Sequence, residues 1–236
     1  MATFRPGDII SYLDICQEEK INLQRGMNFK LRNALSVFLM SIRRGAPYAD
    51  RVEDEGRILI YEGHDISKTS GGPDPKKVDQ PTTIPSGRRT QNGLFYDAAI
   101  KFKLGQAKAE LVKVYEKIKD GIWVYNGIFK LLDAWLEQSG CRKVFKFRLE
   151  LMDQEVALPM VAEGERLELD TSRVIPSSVK QAVWKRDKGQ CTKCGAKDNL
   201  HFDHILPWSK GGTSLLAVNV QLLCARHNLN KKDHIE

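Results

Sequence analysis

Three segments in the middle of the chain alternate apolar and polar residues or carry short apolar runs. They are residues 110–118, 122–136 and 143–151. Glycine-containing turn pairs break the pattern, at Asp120-Gly121, Asn126-Gly127 and Ser139-Gly140. Such segments favour β-strands, and a further strand is predicted at residues 57–61, between Gly56 and Gly63.

Helical patterns are fewer than strand patterns. Residues 7–19 are helix-like, and residues 93–104 predict a helix whose buried side carries Ala98, Ala99 and Phe102. Residues 67–93 are rich in Ser, Gly, Pro, Asp, Lys and Thr and predict a long polar loop. A third helix is predicted to start at residues 176–178, with Ser177 or Ser178 as its N-cap.

These elements divide the chain into two units of the α+β class. Residues 1–152 predict a strongly curved sheet with one or two helices. Residues 153–176 are rich in Glu and Pro, show no clear period and predict a linker. Residues 177–236 form a small C-terminal unit with its own chemistry.

Composition restricts the class of protein. The chain has 236 residues, 42% of them hydrophobic and 28% charged, as is ordinary for a globular protein. The longest apolar stretch, residues 34–42, is too short to cross a bilayer, and the N-terminus has no apolar secretory core. We therefore expect no membrane association and a cytoplasmic location. The five cysteines are odd in number and grouped, which favours metal binding over disulfides.

Positive charge is concentrated near the C-terminus. The net charge is +7, and residues 177–236 carry ten Lys and Arg against five Asp and Glu. A quarter of the chain therefore carries most of the excess, which suits a polyanionic partner such as nucleic acid. Solvated lysines alone would give the same count.

Four potential zinc ligands stand in two matched half-sites, Cys191-x-x-Cys194 and Cys224-x-x-His227. Three thiolates and one imidazole suit a closed, tetrahedral structural Zn²⁺ site. A unit of this size has little core of its own, so bound metal should supply much of its stability. Buried free thiols are the alternative.

A second set of polar residues surrounds the cysteine pattern: Asp203, His204, Asn219 and Asn228. A carboxylate and amides provide the oxygen ligands that Mg²⁺ or Mn²⁺ prefers, and an imidazole has an ordinary pKa suited to general-base catalysis. The surplus predicts a second metal and a hydrolytic reaction.

Residues 176–232 resemble the HNH nucleases, whose fold is a ββα-metal hairpin and helix. The shared motifs, in order, are Asp-His-Ile-x-Pro, Gly-Gly, Asn-x-Gln-x-Leu-Cys and His-Asn-x-x-Lys. The resemblance implies that His204 is the general base, that Asp203 and Asn228 hold the divalent cation, and that Asn219 steadies the loop that orients His204.

One departure from the family pattern leaves two assignments open. A Cys-x-x-Cys half-site is often followed directly by His in the family, whereas here the half-site ends in His227 and Asn228 follows. We assign His227 to zinc and Asn228 to the catalytic cation, with the exchanged roles as the alternative. His201 is expected to be an incidental surface residue. The alternatives are that it contacts a phosphate, or that it contacts a metal ligand without binding the metal itself.

Residues 47–151 resemble the SET- and RING-associated (SRA, or YDG) domain. The match rests on Val124–Trp135 and Lys143–Leu149, preceded by Tyr61-Glu62-Gly63, Asp79-Gln80 and Thr90-Gln-Asn-Gly. The family fold is a crescent-shaped β-barrel related to PUA domains, and it flips a modified cytosine out of duplex DNA into a pocket.

The resemblance implies a base pocket in the N-terminal unit. A flipped base loses its stacking, so the pocket needs aromatic faces and an acceptor for the cytosine amine. By analogy Tyr48 and Tyr61 are the rings, and Asp50 is the preferred acceptor over Glu53. Glu62 replaces a Thr that is common in the family, and it could read the base or accommodate a substituent other than methyl. The tyrosines could instead be core residues.

The two resemblances together imply a modification-dependent restriction endonuclease. It would hydrolyse double-stranded DNA near 5-methylcytosine or 5-hydroxymethylcytosine, as a homodimer because one HNH site cuts one strand, in the defence of a prokaryotic cell. Two alternatives stay open. One is a non-enzymatic reader of modified DNA whose zinc unit only clamps the duplex, and the other is a nuclease insensitive to modification.

Overall fold

The computed structural model describes residues 4–31, 35–152, 175–206 and 212–231. Its helices are α1 (Tyr12–Glu19), α2 (Gln91–Lys103), α3 (Ser177–Arg186) and α4 (Ala225–Lys231). Its first five strands are β1 (Ile9–Ser11), β2 (Met27–Asn28), β3 (Ser36–Met40), β4 (Arg51–Glu53) and β5 (Ile58–Glu62). The others are β6 (Glu110–Lys119), β7 (Ile122–Ser139), β8 (Arg142–Leu151), β9 (Leu200–His204) and β10 (Val220–Cys224).

The long predicted strands form the centre of an eight-stranded sheet. The strand order is β2-β3-β6-β7-β8-β5-β4, and β1 also pairs with β7. All pairings are antiparallel except that of β3 with β6. The mixed α and β class and the strands at 57–61, 110–118 and 143–151 are confirmed. The helix-like N-terminal segment is a strand followed by a helix, because residues 9–11 pair with β7.

The predicted break at Asn126-Gly127 is wrong, because β7 continues through it. The pairing register between β6 and β7 shifts there, and Gly127 has a φ of 107°, which favours glycine. The extra residue makes a β-bulge, which bends the strand and redirects a side chain. Asn126 is the residue left out of the register, and its buried side chain points to the C-terminal unit.

Helix α2 covers the sheet and begins two residues before the predicted start. Thr90 caps it by accepting a hydrogen bond from the Gly93 N–H at 3.1 Å. Phe95 and Ala99, one helical turn apart, are fully buried against the sheet. Ala98 and Phe102, which were predicted to lie on the buried side, are only half-buried, because the buried face of the helix is centred on Phe95 and Ala99.

The C-terminal unit consists of α3, the β9–β10 hairpin and α4. Pro176 is the N-cap of α3 and no side chain caps it, so the predicted serine cap is wrong. The unit shares a hydrophobic cluster with the sheet, in which Ile118 and Val124 pack with Val179 and Val183. Most of the predicted linker lies outside the described residues, and the boundaries 152 and 177 stay predictions.

A buried polar contact also joins the two units. The ammonium of Lys180 on α3 lies 3.0 Å from Glu116 Oε2 and 2.5 Å from Asn126 Oδ1. Asn126 also donates to Glu116 Oε2 at 3.0 Å. All three side chains are at least 96% buried. The bulge in β7 therefore supplies one of the partners that fix α3 on the sheet.

Candidate functional site

The four predicted zinc ligands meet at the base of the C-terminal unit. The turn after α3 brings Cys191 and Cys194 together, β10 ends at Cys224, and His227 lies in the first turn of α4. Their ligand atoms lie within 4.8 Å of one another. The sulfurs of Cys194 and Cys224 are 3.8 Å apart, and His227 Nδ1 lies 3.5 Å from Cys191 Sγ and 3.3 Å from Cys224 Sγ.

This spacing fits a tetrahedral zinc ion. Zn–S bonds of about 2.3 Å and Zn–N bonds of about 2.0 Å separate ligand atoms by roughly 3.5–3.8 Å. Burial opposes ionisation of Cys191, but backbone N–H groups, first that of Cys224, outweigh it and lower the pKa of the thiol to about 6. A thiolate is the form that binds zinc. The cluster has the composition and geometry of a structural zinc site.

His204 and Asp203 lie at the end of β9, as the hairpin prediction requires. His204 Nε2 is 2.8 Å from the buried hydroxyl of Ser214. The Asp203 carboxylate accepts a hydrogen bond from the Lys231 ammonium at 2.6 Å. Adjacent residues of a strand point to opposite faces, and the two side chains accordingly have different partners, Ser214 for His204 and Lys231 for Asp203.

Asn219 holds the loop that follows β9. Its side-chain oxygen accepts from the Leu206 N–H at 2.8 Å. Its amide donates to the carbonyl oxygens of Leu206, at 3.2 Å, and Thr213, at 3.0 Å. These three bonds join both sides of the segment 207–211, next to His204 in sequence. They agree with a positioning role rather than direct contact with a substrate.

Asn228 lies on α4, half-buried. Lys231 lies three residues further along the helix, on the same face, and its side chain reaches Asp203 and the carbonyl of His204. That face of α4 therefore points toward the end of β9. The carboxylate of Asp203 and the amide of Asn228 are oxygen donors of the kind that Mg²⁺ and Mn²⁺ prefer, and their role as ligands of the catalytic cation stays a prediction. On the same helix, the side chain of Lys231 is buried, with 4% of its surface exposed, whereas Arg226 is exposed to solvent.

His201 has a role that the sequence did not predict. Its Nδ1 lies 2.9 Å from Asp8 Oδ1, and the same two residues form an isolated antiparallel bridge. Asp8 belongs to the segment that leads into β1 of the sheet. His201 is therefore a contact between the units rather than an incidental surface residue.

In the N-terminal unit, two adjoining cavities of about 580 and 510 Å³ open beside the strand β5. Tyr48 and Asp50 line both of them. The larger cavity is also bordered by Glu62 and Lys76, whose ammonium lies 4.4 Å from the centre of the Tyr48 ring. The structure thus brings three of the four predicted pocket residues, Tyr48, Asp50 and Glu62, to the larger cavity.

Asp50 is held in place by two backbone groups. It accepts hydrogen bonds from the Glu62 N–H at 2.9 Å and the Ser41 N–H at 3.1 Å. Burial, the largest cause, outweighs these bonds and raises the pKa of Asp50 from 3.8 to about 7. The carboxyl group can therefore change its charge near neutral pH.

Tyr61 lies in the core rather than where the analogy placed it, whereas Glu62 borders the larger cavity. Tyr61 is 1% exposed and stacks on Phe38 with ring centres 4.1 Å apart, so the alternative of a core tyrosine is correct. Glu62 is 4% exposed and forms ion pairs with Lys146 at 2.8 Å and Arg142 at 3.6 Å. Tyr61 therefore cannot pair with Tyr48 as a base-stacking ring, and base reading by Glu62 stays a prediction.

His64 is a pocket residue that the sequence analysis missed. Its ring stacks on Tyr48, with centres 4.8 Å apart and planes 9° apart, and it lines the 510 Å³ cavity. Burial, the largest cause, lowers the pKa of His64 from 6.5 to about 4. Its position directly after Tyr61-Glu62-Gly63, at the end of a strand, is the signal that could have identified it.

The other motif residues join the polar loop to the sheet. The Gln80 side chain accepts from the Phe145 N–H at 2.8 Å and donates to the Gly63 carbonyl at 2.5 Å. The Asn92 side chain accepts from the His64 N–H and donates to the His64 carbonyl, both at 2.8 Å. A Cβ on Gly63 would come within 2.7 Å of both amide side chains. These residues are structural, and they fix the strand end that carries His64.

A protein-family model matches most of the C-terminal unit. Residues 191–234 match the model of the HNH endonuclease family, which confirms the resemblance seen in the motifs. No curated protein matches the chain.

Several solved structures are similar to this chain at low identity. The SRA domain of SUVH5 in complex with methylated CHH DNA has 18% identity and a TM-score of 0.43, over 67% of this chain and 92% of that one. KRYPTONITE in complex with mCHH DNA, an H3 peptide and SAH has 17% identity and a TM-score of 0.44, over 64% and 32%. The type IV phosphorothioation-dependent restriction endonuclease ScoMcrA has 15% identity and a TM-score of 0.42, over 98% and 60%.

Among the described residues, no helix has the length and apolar character needed to cross a membrane.

Proposed function

We propose that this protein is a DNA endonuclease that cuts duplex DNA near a 5-modified cytosine, 5-methylcytosine or 5-hydroxymethylcytosine. The observation that carries the nuclease part is the HNH hairpin with Asp203 and His204 at the end of β9, above a cluster of zinc ligands. The observation that supports the reader part is the cavity beside Tyr48 and Asp50 in the sheet unit.

His204 acts as the general base. It takes a proton from water as the water oxygen attacks the phosphorus, and the bond from phosphorus to the leaving sugar oxygen then breaks. The hydrogen bond to Ser214 orients the imidazole, and Asn219 holds the loop that follows it. A divalent cation bound by Asp203 and Asn228 would stabilise the negative charge that develops on the phosphate.

Modified cytosine is recognised as an extruded base in the sheet unit. The Tyr48 ring offers a stacking surface, and Asp50 offers an acceptor for the exocyclic amine when its carboxyl group is ionised. The basic C-terminal unit binds the adjacent backbone, because it carries most of the net positive charge. Since one such nuclease site cuts one strand, a homodimer on the duplex would complete a double-strand break. Such an enzyme would serve the defence of a prokaryotic cell against modified foreign DNA.

Matched plasmids test both parts of the proposal. Three plasmids of one sequence, carrying cytosine, 5-methylcytosine or 5-hydroxymethylcytosine, are incubated with the zinc-loaded protein and Mg²⁺ or Mn²⁺. We expect cleavage of a modified plasmid only. His204→Ala should reduce its rate by about 100-fold or more while duplex binding persists. His201→Gln, on the same strand and outside the nuclease site, is the matched control and should cut at a rate close to wild type.

Two other outcomes would each refute a different part of the proposed function. Equal cleavage of all three plasmids would leave a nuclease that does not read modification. Selective binding of modified DNA, with no cleavage by wild type or His204→Ala, would leave a reader without nuclease activity.

A further inference from the structure

One β-hairpin contacts both the nuclease unit and the cavity of the sheet unit. It is the turn end of β6 and β7, residues 116–124, here called the shared hairpin. Glu116 is paired with Val124 across it, and Lys117 with Trp123. Adjacent residues of a strand point to opposite faces, so each pair lies on its own face. The first pair contacts the C-terminal unit, through the ion pair with α3 and the hydrophobic cluster. The second pair lines the 510 Å³ cavity proposed to take the modified cytosine.

The C-terminal unit is docked on this hairpin by contacts of two kinds. Apolar residues of both units share one buried cluster, to which the hairpin also contributes Ile118. Burial of apolar surface has no preferred direction, so alone it would let one unit rotate on the other. The contacts of the Lys180 ammonium with Glu116 and Asn126 are directional, and all three side chains are buried. Rotation would leave these groups unpaired and away from water, which is costly.

The nuclease residues lie on the docked hairpin of the C-terminal unit. Phe202 of β9 and Leu222 of β10 are paired with each other, and both pack in the shared cluster. Asp203 and His204 follow Phe202 on the same strand, and Asn219 directly precedes β10. The orientation of the docked hairpin therefore sets the orientation of the nuclease residues relative to the cavity.

A docked nuclease unit and a freely tethered one predict different cutting patterns. The connector, residues 153–174, has 22 residues. A flexible chain of that length has a root-mean-square end-to-end distance of about 25 Å. Because successive nucleotides of one strand are about 3.4 Å apart, such a tether would spread the cuts over roughly seven nucleotides. A docked unit moves by only a few ångströms, which corresponds to about one nucleotide.

We propose that the nuclease unit stays docked during cleavage, and that the shared hairpin fixes the distance from the modified cytosine to the cut phosphodiester. Lys180, Glu116 and Asn126 are positioning residues, which act by holding the orientation of the nuclease unit. The length of the connector then has no part in choosing the cut site. This inference rests on the proposed modification-dependent cleavage, and it adds that the cut lies at one set distance.

Mapping of cut positions tests the inference. Duplexes with one 5-methylcytosine or one 5-hydroxymethylcytosine in a single strand are end-labelled on each strand in turn. They are incubated with the zinc-loaded protein and Mg²⁺ or Mn²⁺ and resolved on a denaturing gel. Wild type should cut a strand at one position, within about one nucleotide. Inserting about 20 Gly and Ser residues after Gly164 nearly doubles the connector and should leave that position unchanged.

A second variant removes the directional contact and keeps the apolar cluster. Lys180→Met/Glu116→Gln replaces the charged pair by neutral side chains of similar size. It should keep its dependence on modification and spread the cuts over about threefold more positions or beyond. Lys185→Met, at an exposed position of the same helix, is the matched control and should cut as wild type does.

The outcomes separate this inference from the proposed function. Absence of cleavage by wild type, or equal cleavage of modified and unmodified duplexes, refutes the proposed function and this inference with it. Selective cleavage that wild type spreads over roughly seven nucleotides, or that the longer connector shifts or spreads, refutes docking alone. A single cut position retained by Lys180→Met/Glu116→Gln refutes the positioning role of the buried polar contact. Thermal unfolding and zinc content establish that each variant is folded, and a loss of stability alone would lower the rate without moving the cuts.

Discussion

Replacing Lys180 by methionine tests the strongest polar contact between the two units. The Lys180 side chain is 1% exposed, and its ammonium lies 3.0 Å from Glu116 Oε2. Methionine keeps much of the length of the side chain and removes the charge. Glu116, which has no exposed surface, would then be a buried carboxylate without its cation.

The expected cost follows from the partners that remain. Removing one member of a buried ion pair typically costs about 3–5 kcal/mol. Asn126 still donates to Glu116 Oε2 at 3.0 Å, so we expect a value near the lower end. Among the described residues Glu116 Oε1 has no hydrogen-bond partner, and it borders an enclosed cavity of about 10 Å³. Such a space holds about one water molecule, which gives limited compensation.

The cost comes from the charge that is left behind. A buried carboxylate that loses its cation keeps the cost of its removal from water, whereas a neutral group of the same shape does not.

Urea denaturation followed by circular dichroism, with zinc present, measures the effect. Lys185→Met makes the same change at an exposed position of the same helix, and it should stay within about 0.5 kcal/mol of wild type. The double variant Lys180→Met/Glu116→Gln should recover part of the loss, because no unpaired charge remains. A loss below about 1 kcal/mol, or no recovery in the double variant, would refute the reasoning.

Three further predictions concern the zinc cluster, the loop and the pocket. Cys224→Ser should abolish stoichiometric zinc binding and unfold the C-terminal unit, as measured by metal analysis and limited proteolysis; a folded, zinc-free unit would contradict this. Asn219→Ala removes three hydrogen bonds to Leu206 and Thr213 and should lower the cleavage rate about 10-fold or more with zinc content unchanged. The raised pKa of Asp50 contributes stability that is present below pH 3.8 and lost as pH rises through about 7, so Asp50→Asn should flatten the fall in urea midpoint between pH 4.5 and 7.5. An unchanged slope would show that another group titrates there.

Local sequence patterns were sufficient for much of the fold and for the metal chemistry. The alternation of apolar residues predicted the long strands, because a half-buried strand repeats every two residues whatever it packs against. The matched spacing of Cys191 and Cys194 with Cys224 and His227 predicted the zinc cluster, because a knuckle turn and a helix start fix ligand positions locally. Asn219 was predicted to steady a loop, and its hydrogen bonds agree with that role.

Tertiary packing decided the features that depend on residues distant in sequence. Tyr61 became a core residue because Phe38, on another strand, covers its ring, and His64 took the position beside Tyr48. Lys180 is a charged residue that is nevertheless buried, because Asn126 at the bulge and Glu116 of β6 bind its ammonium. A sequence specifies the period of its hydrophobic residues and its local turns. Which residue covers a given side chain is decided only when the strands and helices pack together.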